Sequence, residues 1–105
     1  MKTLFAILAF TVFMFSGCKK DQPGKDEVLI TNFSFSPSSL TVSAGTTVTW
    51  KNQDAATHTV TSNTGVFDSG DMGTNTTFTW TFTTVGSYPY HCKFHSGMTG
   101  TIIVN

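Results

Sequence analysis

The stretch from Tyr90 to Met98 puts a thiol at Cys92, an imidazole at His95 and a thioether at Met98, in the spacing C-x2-H-x2-M. A thiolate and an imidazole on one short loop make half of a metal site, and the thioether narrows the choice of metal. Zinc and iron sites seldom use methionine. Copper alternates between a softer Cu(I) and a harder Cu(II), and it accepts a mixed sulfur and nitrogen set with one weak axial sulfur. Two histidines and a cysteine in a plane, with a long axial methionine, form a blue copper ligand set. The loop supplies all of this except one histidine. Taken singly, each residue has a plainer use: a lone buried cysteine is an inert small hydrophobe, and methionine fills gaps in cores. The spacing is what favours ligation.

Such a loop needs rigid elements to hold it. In Tyr88-Pro89-Tyr90-His91-Cys92, residues 88, 90 and 92 share one face of an extended strand. Two tyrosines with the cysteine mark that face as interior, so His91 points outward as a solvated flank residue. Further strands are expected throughout. Glu27 to Phe35 reads as a first strand, with Val28, Ile30 and either Phe33 or Phe35 facing inward. Leu40 to Val42, the turn Ala44-Gly45 and Thr46 to Asn52 carry a hairpin signature. Thr57 to Thr61 returns to strand, and a short strand at Val66-Phe67 sits in a glycine-containing irregular stretch. Thr76 to Phe82 alternates most clearly, with Phe78, Trp80 and Phe82 on one face. Ser87 to Cys92 and Thr99 to Val104 complete seven or eight short strands. Turn signals between them predict an all-β, two-sheet antiparallel sandwich.

Length and charge bound the function. At 105 residues there is room for one small domain. The formal net charge is zero, and no basic cluster offers a nucleic-acid footprint. From Asp26 onward Lys51 and Lys93 face five carboxylates, a body charge of about −3, too weak to name a partner.

The N-terminus reads as an address. Lys2 precedes an apolar run from Leu4 to Phe15, interrupted only by Thr11, which suits a signal-peptide core and is too short for a spanning helix. Phe15-Ser16-Gly17-Cys18 resembles the lipobox of bacterial lipoproteins, with Phe15 where leucine is usual. That resemblance implies a signal peptide over 1–17, a lipid on Cys18 and a polar tether over 18–25. The alternatives are ordinary cleavage near Gly17, which leaves Cys18 a free thiol, and an uncleaved membrane anchor. In each case Cys18 and Cys92 have separate uses, so no disulfide between them is expected. The protein is then placed in the cell envelope, on the periplasmic or surface side.

One histidine, a long gap and then Cys-His-Met resembles the cupredoxins, the family of plastocyanin, pseudoazurin and amicyanin; the two-residue gap between His95 and Met98 is most similar to amicyanin. The resemblance covers residues 26–105 as one domain and implies Greek-key connections in the sandwich. It implies a single copper ion held by His58, Cys92, His95 and Met98. His95 is placed by the motif and His91 points away by parity, which leaves His58, and its position matches the family's first ligand. In several family members an asparagine follows that histidine and braces the cysteine loop; here Thr59 stands there, with a hydroxyl able to make one such bond. Phe94 and Gly97 are expected to form an apolar collar beside His95, and Met72 is not expected to be a ligand. The function implied is single-electron transfer, with a cytochrome or an oxidoreductase docking near His95, by a monomer that is not an enzyme. Multicopper enzymes need further histidines, and the chain has three. A copper storage or delivery protein is the alternative.

Overall fold

Alternation in sequence along Thr46–Asn52 is answered by alternation in burial: Val48, Trp50 and Asn52 are buried, and the residues between them are not. This strand is one of eight in the computed structural model, which describes residues 23–105. The expected signal peptide over 1–17 lies outside the described residues, as do positions 18–22 of the tether. The strands are β1 (Glu27–Thr31), β2 (Ser34–Ser36), β3 (Ser39–Val42), β4 (Thr46–Asn52), β5 (Thr61–Ser62), β6 (Thr77–Phe82), β7 (Gly86–His91) and β8 (Thr99–Val104). They form two four-stranded sheets, ordered β2-β1-β4-β6 and β3-β8-β7-β5. No helix occurs among the described residues.

The all-β sandwich is as expected, but the sheets are mixed rather than antiparallel. β1 pairs with β4 in parallel, and so does β3 with β8. The expected β3–β4 hairpin does not form. Ala44 N–H donates to the Asn105 carbonyl, at the end of one sheet, while Gly45 N–H donates to the Phe82 carbonyl in the other. The turn therefore carries the chain across the core, and Gly45, at φ 96°, makes it possible. Val42 and Val48 then face one interior from opposite sheets. Period-2 patterning marks which face is buried but not which strand lies alongside.

The first strand is also shorter than expected. It breaks at Asn32 and Phe33, both left-handed with φ 53° and 58°, and the chain doubles back so that Ile30 pairs with Phe35. Phe35 is buried, whereas Phe33 is 52% exposed. Farther on, the strand expected over Thr57 to Thr61 is reduced to β5. The pairings at His58↔Met72 and Thr61↔Asp68 are isolated bridges, and the strand expected at Val66-Phe67 does not form; the second bridge lies just beyond it.

Trp50 lies at the centre of the core. The rings of Phe78 and Phe67 lie at 5.6 and 5.8 Å, and Tyr90 meets it edge-on at 5.5 Å. Tyr90 lies flat across Gly100 of the neighbouring strand, where a Cβ would sit 2.5 Å from its ring. Burial pushes the Tyr90 phenol up to about 12, with the Trp50 indole N–H pulling weakly the other way. Neither the Tyr90 hydroxyl nor Trp50 Nε1 makes a hydrogen bond of ordinary geometry. On β6 the aromatic face is only partly covered: Phe82 is buried, while Trp80 is 37% exposed on an edge strand.

Candidate metal centre

The inward face of β7 ends in Tyr90, and Cys92 continues it one step beyond the strand, buried with its Sγ turned into the core. The chain then closes on itself. Met98 N–H donates to the His95 carbonyl at 3.2 Å, and Cys92 N–H donates to the Met98 carbonyl at 3.0 Å. Gly97, at φ 85°, permits the tight return. The loop from 92 to 98 thus caps the β7–β8 hairpin just above its last pair, His91↔Thr99. It leaves Met98 buried in the same cluster as Cys92.

His58 reaches the loop from the other side of the chain. Two backbone hydrogen bonds with Met72, at 3.1 and 2.8 Å, fix it, and its side chain is fully buried. Met72 acts here through its backbone, and its own side chain packs into the core. His58 Nδ1 lies 3.7 Å from Cys92 Sγ, and His95 Nδ1 lies 3.5 Å from the same sulfur. These three donor atoms lie within 4.8 Å of one another. His58, Cys92 and His95 are therefore brought together, with Met98 buried in the same cluster as Cys92, and His91 is not among them: its Nδ1 meets Asn63 Oδ1 at 2.6 Å on the outer flank.

Three neighbours hold the donors in place. Thr59 N–H donates to Cys92 Sγ at 3.4 Å, and Lys93 N–H donates to the Thr59 hydroxyl at 2.9 Å. The threonine thus braces the loop with one backbone and one side-chain bond. Asp54 is the second brace, and sequence reading did not find it. Its Oδ2 lies 2.9 Å from His58 Nε2, and its two oxygens also accept from Asn32 N–H at 2.7 Å and Phe33 N–H at 2.9 Å. Burial alone would raise this carboxyl, but the Phe33, His58 and Asn32 donors outweigh burial and hold it below its ordinary value. A carboxylate acceptor at Nε2 favours the tautomer that carries its proton there, which frees the Nδ1 lone pair for a metal ion bound beside the sulfur. Asn52 is the third brace. Its fully buried side chain donates to the Ala56 and Met72 carbonyls and accepts from Asp54 N–H, which ties the loop before His58 to the segment at Met72 that bridges with His58.

Phe33, like Asp54 and Asn52, is a residue that sequence reading missed as part of the site. Its ring stands edge-on to His58 at 5.2 Å and to His95 at 4.9 Å. No sequence signal points to it, because a two-residue left-handed turn is ordinarily announced by glycine, and here the pair is Asn-Phe. Phe94 also meets His95 edge-on, at 6.5 Å; it is 53% exposed, and Gly97 in the same loop is exposed. A cysteine sulfur, two imidazole nitrogens within 3.7 Å of it and a thioether buried in the same cluster fit copper better than zinc, for which a thioether is a poor ligand.

Comparison with known proteins agrees with this geometry. A family model described as "Cupredoxin-like domain" matches residues 4–104. Amicyanin of Paracoccus denitrificans is 37% identical over 70 residues, which cover 62% of this chain and 53% of amicyanin; the chain spans about half the length of that relative. Plastocyanin of Scenedesmus fuscus is 35% identical over 88 residues, covering 67% of this chain and 85% of plastocyanin. A solved structure of a reduced amicyanin mutant superposes with a TM-score of 0.73 at 34% identity, covering 78% of this chain and 83% of that one.

Proposed function

The chain belongs to the cupredoxin family, and from that premise we propose that it is a blue copper protein, which binds one copper ion and carries single electrons between larger redox proteins. The observation that carries this reading is the convergence of His58 Nδ1, Cys92 Sγ and His95 Nδ1 within 4.8 Å. Cys92 supplies the thiolate, His58 and His95 the two imidazoles, and Met98 the weak axial thioether. Copper bound there supplies a one-electron couple between Cu(II) and Cu(I). The chain's part is to keep the donors still. Thr59 and Asp54 fix the sulfur and the His58 ring from outside, and burial of Cys92 and His58 keeps water away. His95 is the least buried of the three, so its imidazole is the route between the site and the surface. The apolar rim beside it, Phe94 and Gly97, suits brief docking of a cytochrome or an oxidoreductase, because transient redox complexes use small interfaces.

The enclosed site favours this over copper storage or delivery, which calls for exposed, labile ligands. Addition of Cu(II) to the purified protein should give one bound ion per chain and an intense visible band from thiolate-to-copper charge transfer. A colourless complex of the same stoichiometry would reject the thiolate ligand and with it this function.

The N-terminal residues support placement in a bacterial cell envelope, with the folded body tethered to a membrane by a lipid on Cys18. Mass spectrometry of the membrane-bound protein should find Cys18 as a lipid-modified first residue. A free thiol there would remove the anchor and leave the copper chemistry untouched.

A further inference from the structure

Phe33 is an anomaly. A bulky residue with positive φ is a conformational outlier, and glycine is the residue this turn ordinarily takes. The residue gains little burial in return, since it stays about half exposed. What it does gain is contact with both imidazoles of the site. The turn that carries it is held by the two oxygens of Asp54, one of which also takes His58 Nε2. Strain kept at a site, and held there by a specific partner, points to a role rather than to a packing accident.

We propose that the β1–β2 turn is a clasp over the metal site. The Asp54 carboxylate locks the turn and the His58 ring together, and the Phe33 ring so positioned pins the His95 imidazole in its ligating orientation before any metal arrives. His58 is fully buried and has its own brace. His95 sits on a short loop, half-buried, and no side-chain hydrogen bond holds its outer nitrogen among the described residues, so it is the ligand that needs a wall. Phe33 and Phe94 both meet it edge-on, at centroid distances of 4.9 and 6.5 Å, and Phe33 is the nearer of the two. The clasp makes Phe33 and Asp54 positioning residues, and it rests on the ligand assignment proposed above.

The test uses the fact that stability and site rigidity should move in opposite directions. Phe33→Gly relieves the left-handed strain, so its thermal midpoint should equal or exceed that of the unsubstituted protein. The same change should broaden or average the His95 ring signals in NMR spectra of the metal-free protein. It should also speed copper release to a competing chelator by about tenfold, the scale seen when support around a ligand is lost. Phe33→Tyr, which keeps the ring, should behave like the unsubstituted protein. Asp54→Asn should loosen both rings, and adding Phe33→Gly to it should give less than the product of the two single effects, because the ring is already unheld. If Phe33→Gly left the His95 signals unchanged and release within about twofold of normal, or if the two effects simply multiplied, the clasp would be wrong. A protein that formed no blue complex at all would instead overturn the copper reading. The ring measurement on the metal-free protein would then decide the clasp alone.

Discussion

Replacing Cys92 with serine is expected to abolish the intense visible band of the Cu(II) protein and to weaken copper binding by more than about 100-fold, beyond the range typical of losing an outer partner. The reasoning is electronic. The band needs a thiolate donating into copper, and a serine hydroxyl at neutral pH is neither ionised nor soft. The fold should survive. Cys92 is unpaired, its substitute is nearly the same size, and Thr59 N–H, which donates to Sγ at 3.4 Å, keeps an acceptor in the hydroxyl oxygen. The cost in stability should therefore be about 1 kcal/mol, that of one altered buried polar group. His91→Ala is the control, because that imidazole is engaged with Asn63 on the flank and should leave the band intact. Absorption spectroscopy with denaturant unfolding on the same samples separates the two effects. A Cys92→Ser protein that stayed blue would show that the sulfur ligand lies elsewhere.

Asn52→Ala should produce the largest loss of stability of any single polar change near the site, about 2–4 kcal/mol. Three side-chain bonds, at 2.9, 3.0 and 2.9 Å, vanish at once, and the carbonyls of Ala56 and Met72 and the N–H of Asp54 lose their partner. The position is fully buried, so water does not readily replace the lost amide. The consequence reaches the metal. Asp54 and Met72 are the residues that fix the His58 ring and backbone, so copper affinity should fall together with stability. Urea unfolding of the metal-free protein gives the first number and competition with a chelator the second. A loss below about 1 kcal/mol would mean that the loop before His58 is held by its backbone alone.

These two residues show how unevenly the site could be read from sequence. Cys92, His95 and Met98 were legible because their chemistry is rare and their spacing is local: one loop carries all three, and period-2 parity turns Cys92 inward and His91 outward. Asn52 read only as the end of an alternating strand. Nothing local shows that its amide would span 20 residues to the Met72 carbonyl. For Thr59 the family resemblance offered only a candidate brace by its place after His58; the bond its hydroxyl accepts from Lys93 N–H crosses 34 positions and was decided by the fold.

By itself, then, the sequence determined the β class, the inward and outward faces of most strands, and the three donors that share a loop. These depend on a residue and its near neighbours, through pleat geometry and ligand chemistry. The tertiary structure alone decided which strands pair, so that β3 and β4 part into different sheets and two pairings run in parallel. It alone turned Phe33 outward onto the two imidazoles and put Asp54 beneath the turn that carries it. The physical reason is range. Alternation has the same period whichever strand lies alongside, and an acceptor 21 or 22 residues away leaves no local trace in the turn whose N–H groups it satisfies.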